Sequence, residues 1–451
     1  MHLPDLKRDF IKYVSFNIIG LVGISLYILA DTYFVSKGLG TDGLAALNLV
    51  LPVFNFLNGF GLMFGIGGST VFSVNYGYAD RAENDRIFMN AVLGIGRIAL
   101  ISEMIALFFS KPLAGLLGAD SSIFDLAHDY LRLVLFFSPA FLLNQMLNCF
   151  VRNDGAPRLA TAAMIVSSAV NVLLDYDFIF IQEMGMKGAA LATCLSPLFS
   201  IAVMSIHLLN GWNSFSFCKI NQPSELLIKK MIELGVPTLV TELAAGMVMI
   251  VFNFLILNIE GNTGVAAYGI VANIAIVVVS LYTGISYGIQ PLMSKAHGAE
   301  DKPALRYLLN ASLRLAMLIS VIVYFMMFFH SMEISEIFNS DHDEQLQRMA
   351  ETGIRIYFLA IPFMGINIIH SVLFTSLEKP KPAQLISLLR GIVLVVILAR
   401  IFSGLWGITG IWLAIPAAEL LTCITGIIIY MIQFRTEIID KPIDPLAAYY
   451  D

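Results

Sequence analysis

Charge is scarce in this sequence. Asp, Glu, Lys and Arg make up 13% of its 451 residues and hydrophobic residues 58%, about half the charged share of a soluble globular domain, which excludes an ordinary soluble fold. No basic run is present, and the net charge of -6 comes from few groups, so nothing marks a nucleic-acid partner. Cysteine is sparse as well. Cys149, Cys194 and Cys423 lie in apolar segments and Cys218 in a connecting loop, without CxxC spacing, which excludes a zinc centre and a disulfide framework. An intramembrane lipid-modifying enzyme needs clustered catalytic acids or a His/Cys site near an interface; neither is found, and Asp341, His342, Asp343 and Glu344 read as a solvated face. The amino end, MHLPDLKRDFIKYVSF, is basic, but the apolar run after it is long and lacks a small-residue cleavage site. It reads as a first spanning helix that stays.

Long apolar runs are what the chain has in abundance, and its mean hydropathy is +0.79. At about 20 apolar residues per crossing, the runs at 11–36, 44–76, 87–110, 122–150, 158–182, 187–209, 229–258, 264–294, 305–330, 346–376, 382–403 and 407–434 predict twelve transmembrane helices in an all-α polytopic membrane protein. The loops at 77–86, 151–158, 210–228, 295–304 and 377–381 and both termini lie on one side, which with the adjoining helix ends holds 17 Lys and Arg, against 6 on the other side. By the positive-inside rule both termini are expected in the cytoplasm, in the cell (inner) membrane.

The sequence also repeats itself. Gly43–Val50 (GLAALNLV) recurs as Gly264–Val271 (GVAAYGIV), and GYADR at Gly77–Arg81 recurs as GAEDK at Gly298–Lys302, both 221 positions on. Pro139, Asn144 and Pro157 recur as Pro362, Asn367 and Pro380, and GAALA at Gly188–Ala192 as GIWLA at Gly410–Ala414. Ordered matches at one offset predict two homologous six-helix bundles, an N-lobe at 1–215 and a C-lobe at 216–451, joined by the polar loop 210–228. Halves with an even number of spans share one orientation, and such duplicated bundles hold a ligand between the halves and rock about it. Pro139, Pro197, Pro237, Pro291, Pro362 and Pro416, with the glycine-rich Gly59–Gly68, are expected to soften helices at membrane depth.

Polar residues inside the apolar runs carry the functional signal. In Ser167–Phe178 (SSAVNVLLDYDF), Ser167, Asn171 and Asp175 are four apart and share one helix face. An ionised Asp at membrane depth costs at least ~2.5 to 3.5 kcal/mol unless it faces a partner or a wet cavity, so ion or proton handling is the default reading. Capping a helix end, or pairing with a neighbouring helix, is the plain structural alternative. The repeat separates the two: Asn171, Asp175, Thr193 and Asp31 map onto Leu394, Leu398, Ile415 and Phe252. The scaffold shared by both halves therefore does not require them. Asp31, Asp175 and Thr193 are also expected at one depth, ~9 to 11 Å below the outer surface. Two carboxylates, an amide and a hydroxyl suit Na⁺ or another small hard cation, and equally a proton.

Other polar residues carry weaker signals. Glu242 and Glu419 are candidate acids of the cavity, or hydrogen-bonded partners between helices. Asp177 points away from Asp175 and reads as interfacial; Arg97, Arg132, Arg314 and Arg390 are expected to snorkel or pair with acids, and His370 to pack. The 20 Met and 32 Phe suit core and lipid faces, and also a cavity for varied apolar ligands.

ADTYFVSKGLG at Ala30–Gly40, NDGAPRLA at Asn153–Ala160, NVLLD at Asn171–Asp175, GMKGAALAT at Gly185–Thr193 and LGVP at Leu234–Pro237 resemble the multidrug and toxic compound extrusion (MATE) family across nearly the whole chain. That resemblance implies a twelve-helix, two-lobed exporter of cationic or amphipathic compounds, driven by inward H⁺ or Na⁺, with no other cofactor and working as a monomer. It implies a cation site at Asp31, Asn171, Asp175 and Thr193. Two departures stand out: Phe16 occupies the place of an early proline, and Ile366–Glu378 lacks the membrane Asp of the branch with a C-lobe site. A lipid-linked precursor flippase of the same superfamily is the alternative; its mark would be a strongly cationic cavity.

Overall fold

The computed structural model describes residues 3–76, 79–119, 121, 123–219, 223–339 and 343–434. Expectations resting on Gly77, Asp341, His342, Arg435 and Lys441 lie outside the described residues. Every regular element among the described residues is a helix. Pro4–Gly40, Asp42–Val74, Arg81–Phe108, Pro157–Ile181, Met186–Leu209, Lys302–Phe329 and Glu344–Ser376 are each long and apolar enough to cross a bilayer once. Glu225–Gly298 has 74 residues, and at 1.5 Å per residue reaches ~110 Å, far beyond a ~30 Å hydrocarbon core. It breaks at Gly261 and supplies two spans. Pro380–Ile432 likewise breaks at Trp406 and Gly407. Phe124–Phe136 and Ser138–Asn153, bent by 52° between them, form one more. The chain is thus a multi-pass, all-α membrane protein whose twelve spans follow the expected order; the first runs further than expected, to Gly40.

The repeat is written into the backbone. Gly40 (φ 69°) and Gly261 (φ 65°) make the same left-handed break 221 residues apart, and Gly185 (φ 62°) and Gly407 (φ 59°) make another 222 apart. These are conformations that a Cβ disfavours, which explains glycine at both copies. Asp80 and Asp301, in the repeated GYADR and GAEDK motifs, are N-caps: their carboxylates accept from Glu83 N at 2.8 Å and Ala304 N at 2.9 Å, each satisfying an orphan donor at a helix start. The bend at Phe137 recurs as the 3₁₀ turn Phe358–Ala360.

The chain packs as two compact units, one of residues 15–247 and one of residues 1–14 with 248–451. The sequence repeat led to an expected division at 215/216; compactness divides within the helix Glu225–Gly298. In the first unit Phe72, Phe88, Phe150 and Phe215 form a fully buried aromatic cluster with ring centroids 4.5 to 5.9 Å apart. Phe215 belongs to the connecting loop, and polar bonds pin that loop on either side: Ser214 N donates to Asp154 Oδ2 at 2.8 Å and Ser216 N to Asp85 Oδ1 at 2.6 Å. Asp154 also meets His207 Nε2 at 2.9 Å, both side chains buried.

The glycine-rich stretch does something other than soften its helix. Asp42–Val74 is continuous, and its glycines are contact points instead. A Cβ on Gly67 would lie 1.9 Å from Met231 O, and one on Gly235 would lie 2.0 Å from Met63 O. Two spans therefore touch backbone to backbone, as small residues permit in membranes. We expect Gly67→Ala or Gly235→Ala to destabilise the fold by roughly 1 to 3 kcal/mol, seen as a lower thermal midpoint in detergent, whereas Gly96→Ala, which meets nothing within 4 Å, leaves it unchanged.

Candidate cation site

The fifth span is an α-helix, Pro157–Tyr176, continued by the π-helix Asp177–Ile181. Met164, Ser168, Asn171, Asp175 and Ile179 are buried along one face, while Ile165, Leu173 and Tyr176 on the others are exposed. The polar stripe is as expected except at its first member. Ser167 is half-buried, and the buried serine is Ser168, which donates to Met164 O at 2.9 Å.

The first span meets this face through small residues. Phe16 O accepts from Thr161 Oγ1 at 2.9 Å; a Cβ on Gly20 would lie 3.0 Å from Met164 Sδ, and one on Gly38 would run into Ile179. Contacts ascending both helices together mean that they run parallel. Asp31, between Gly20 and Gly38, is thereby brought level with Asp175. Thr193 enters from the sixth span, where Tyr130 donates to its hydroxyl at 3.4 Å. Tyr27 lies one turn before Asp31 on the same helix face.

The electrostatics of the cluster are unbalanced. Asp175 and Asn171 are 0% and 1% exposed, and Asp31 Oδ1, both Asp175 oxygens and both amide atoms of Asn171 have no hydrogen-bond partner among the described residues. No lysine, arginine or histidine is among the described groups that act on the pair. Removing an ion from water costs several kcal/mol after relaxation, so two neighbouring carboxylates here demand positive charge from outside, as protons or as a small hard cation. The donors present, carboxylate and amide oxygens with a hydroxyl, fit that demand.

The remaining candidates are placed elsewhere. Glu242 is half-buried against Gly59 of the second span. Glu419 lies in the other compact unit and is already engaged: Arg390 bonds it at 2.8 Å and Asn367 at 2.7 Å. Arg97 forms a two-pronged pair with Glu225 at 2.6 and 3.0 Å, while Arg132 and Arg314 are exposed. His370 is buried between Phe374 and Tyr430 as a packing residue. Asp177 accepts from Gln182 at 2.5 Å, at the end of the span. Sequence reasoning missed Tyr27 and Tyr130, although the repeat held the signal: their counterparts are Val248 and Gly353.

A duplicated bundle of twelve spans with polar groups gathered inside one half is the architecture of a secondary membrane transporter. The MatE family model matches residues 18–176 and 237–401, and the chain belongs to that family, the one its motifs resemble. Among curated proteins it is similar to the multidrug export protein MepA of Staphylococcus aureus, 25% identical over 419 residues and 92% of each chain. Among solved structures it is similar to one described as an outward-facing multidrug resistance MATE family transporter of the MOP superfamily, at TM-score 0.86, 22% identity and 94% of each chain. A MOP superfamily transporter from Pyrococcus furiosus, described as having a binding pocket of reversed polarity, is similar at TM-score 0.86, 21% identity and 96% of each chain. Those likenesses concern the fold.

Because Asp175 is buried beside half-buried Asp31 and no cation pairs with either among the described residues, Asp175→Asn should stabilise the purified protein by roughly 1 to 3 kcal/mol. A raised thermal midpoint in detergent at neutral pH checks it, and an unchanged or lowered midpoint refutes it.

Proposed function

We propose that the protein is a secondary active exporter of cationic or amphipathic small molecules, driven by H⁺ or Na⁺ entering through Asp31, Asn171, Asp175 and Thr193. The observation that carries this reading is the carboxyl pair whose buried oxygens have no hydrogen-bond partner among the described residues. Empty, the pair repels itself across the first and fifth spans; filled, it draws them together. A ligand that binds two states unequally shifts their balance, so alternate filling of this site and of a substrate site couples the two fluxes by linkage. The moving parts of this reading are the six-helix halves predicted by the repeat, rocking in the cell membrane with both termini cytoplasmic. Relatives named as multidrug export proteins support export of organic compounds. The flippase reading has less support, because Arg97 and Arg390 are committed to Glu225 and Glu419.

The test is ethidium efflux from proteoliposomes under separately imposed Na⁺ and pH gradients. One of the gradients should drive efflux, and Asp31→Asn and Asp175→Asn should each slow it at least ~10-fold, the effect of losing ~1.4 kcal/mol or more of coupling. Gradient-driven efflux surviving in both variants refutes the assignment.

A further inference from the structure

The second compact unit also buries an acid at membrane depth, and its environment is the reverse of the first. Glu419 is 3% exposed and sits well inside the twelfth span. Arg390 Nε lies 3.1 Å from Oε1 and 3.3 Å from Oε2, and a second guanidinium nitrogen lies 2.8 Å from Oε1. Asn367, fully buried on the tenth span, donates to the side chain at 2.7 Å and to the main-chain oxygen of Glu419 at 2.8 Å. Both carboxylate oxygens thus have partners, with two guanidinium nitrogens converging on Oε1 and Asn367 on Oε2.

Local backbone serves this pairing. Arg390 is carried by the π-helical turn Leu389–Val393, a distortion that re-aims side chains and recurs at functional positions. At the places that correspond to the first unit's acids, this unit has Phe252, fully buried, and Leu398. One half therefore buries acids that lack a cation, and the other buries an acid whose cation is covalently part of the chain.

We propose that Glu419 and Asn367 form a second cation nest, of a kind that takes guanidinium or ammonium, filled permanently by Arg390. On this arrangement the second half carries no exchangeable charge, and each cycle is driven through the Asp31–Asp175 pair alone. The statement about cycles rests on the function proposed above; the filled nest does not.

The test is infrared difference spectroscopy of the full chain in lipid during acidification, reading the carbonyl stretch of protonated carboxylic acids. Wild type and R390Q/E419Q are expected to give the same bands, and R390Q to gain a band that R390K lacks and that R390Q/E419Q loses. A Glu419 band already present in wild type and missing from R390Q/E419Q overturns the proposal, and so does R390Q that unfolds at the wild-type temperature without gaining one. Should R390Q not fold, wild type against R390Q/E419Q decides. In proteoliposomes the number of coupling ions moved per ethidium should rise roughly twofold in R390Q and return in R390Q/E419Q. Failure of the Asp31–Asp175 reading would show instead as efflux surviving Asp175→Asn, with the R390Q band unaffected.

Discussion

Two carboxyl groups side by side in a medium that solvates charge poorly form the constraint on which the rest depends. Coulomb repulsion between like charges grows as the effective dielectric falls, so Asp31 and Asp175 cannot both stay ionised, close and dry. Water would relieve them, separation would relieve them, and so would a proton or cation. The fold denies the first by burying Asp175 and Asn171 and resists the second by fastening the first span to the fifth at Thr161, Met164 and Ile179. That leaves the third, positive charge from outside, which the function proposed above takes to be the coupling ion.

Close packing makes this possible, and glycine makes the close packing. Gly20 and Gly38 bracket Asp31 and let the first span lie against the fifth; Gly67 and Gly235 allow two other spans to touch main chain to main chain. In a bilayer, helices gain little by hiding apolar surface from lipid, so intimate van der Waals contact must hold them. The expected softening role of Gly59–Gly68 fails for this reason: the helix stays regular while its small residues admit neighbours.

Duplication supplies a control within one molecule. The left-handed breaks at Gly40 and Gly261, the caps at Asp80 and Asp301, and the bends at Phe137 and Phe358–Ala360 belong to both copies and belong to the scaffold. The halves diverge where their chemistry differs, with orphaned acids in one and a satisfied ion pair in the other. Arg390 and Glu419 look alike to a hydropathy scan, as isolated charges in apolar runs. Geometry alone distinguishes an acid without a partner among the described residues from one paired with an arginine.

The sequence by itself determined the class, the order of spans, the repeat and the face of the fifth span that bears Asn171 and Asp175, because helical periodicity and the exclusion of charge from lipid act locally along the chain. It also pointed to Asp31, Asp175 and Thr193 as a group, since polar residues present in one copy and absent from the other need a reason. Tertiary structure decided that Asp31 lies level with Asp175, that Tyr130 reaches Thr193, that Ser168 rather than Ser167 is buried, and that Arg390 pairs with Glu419. Those facts depend on how neighbouring helices are rotated and how closely they approach, which contacts far apart in the chain settle and no short stretch of sequence encodes.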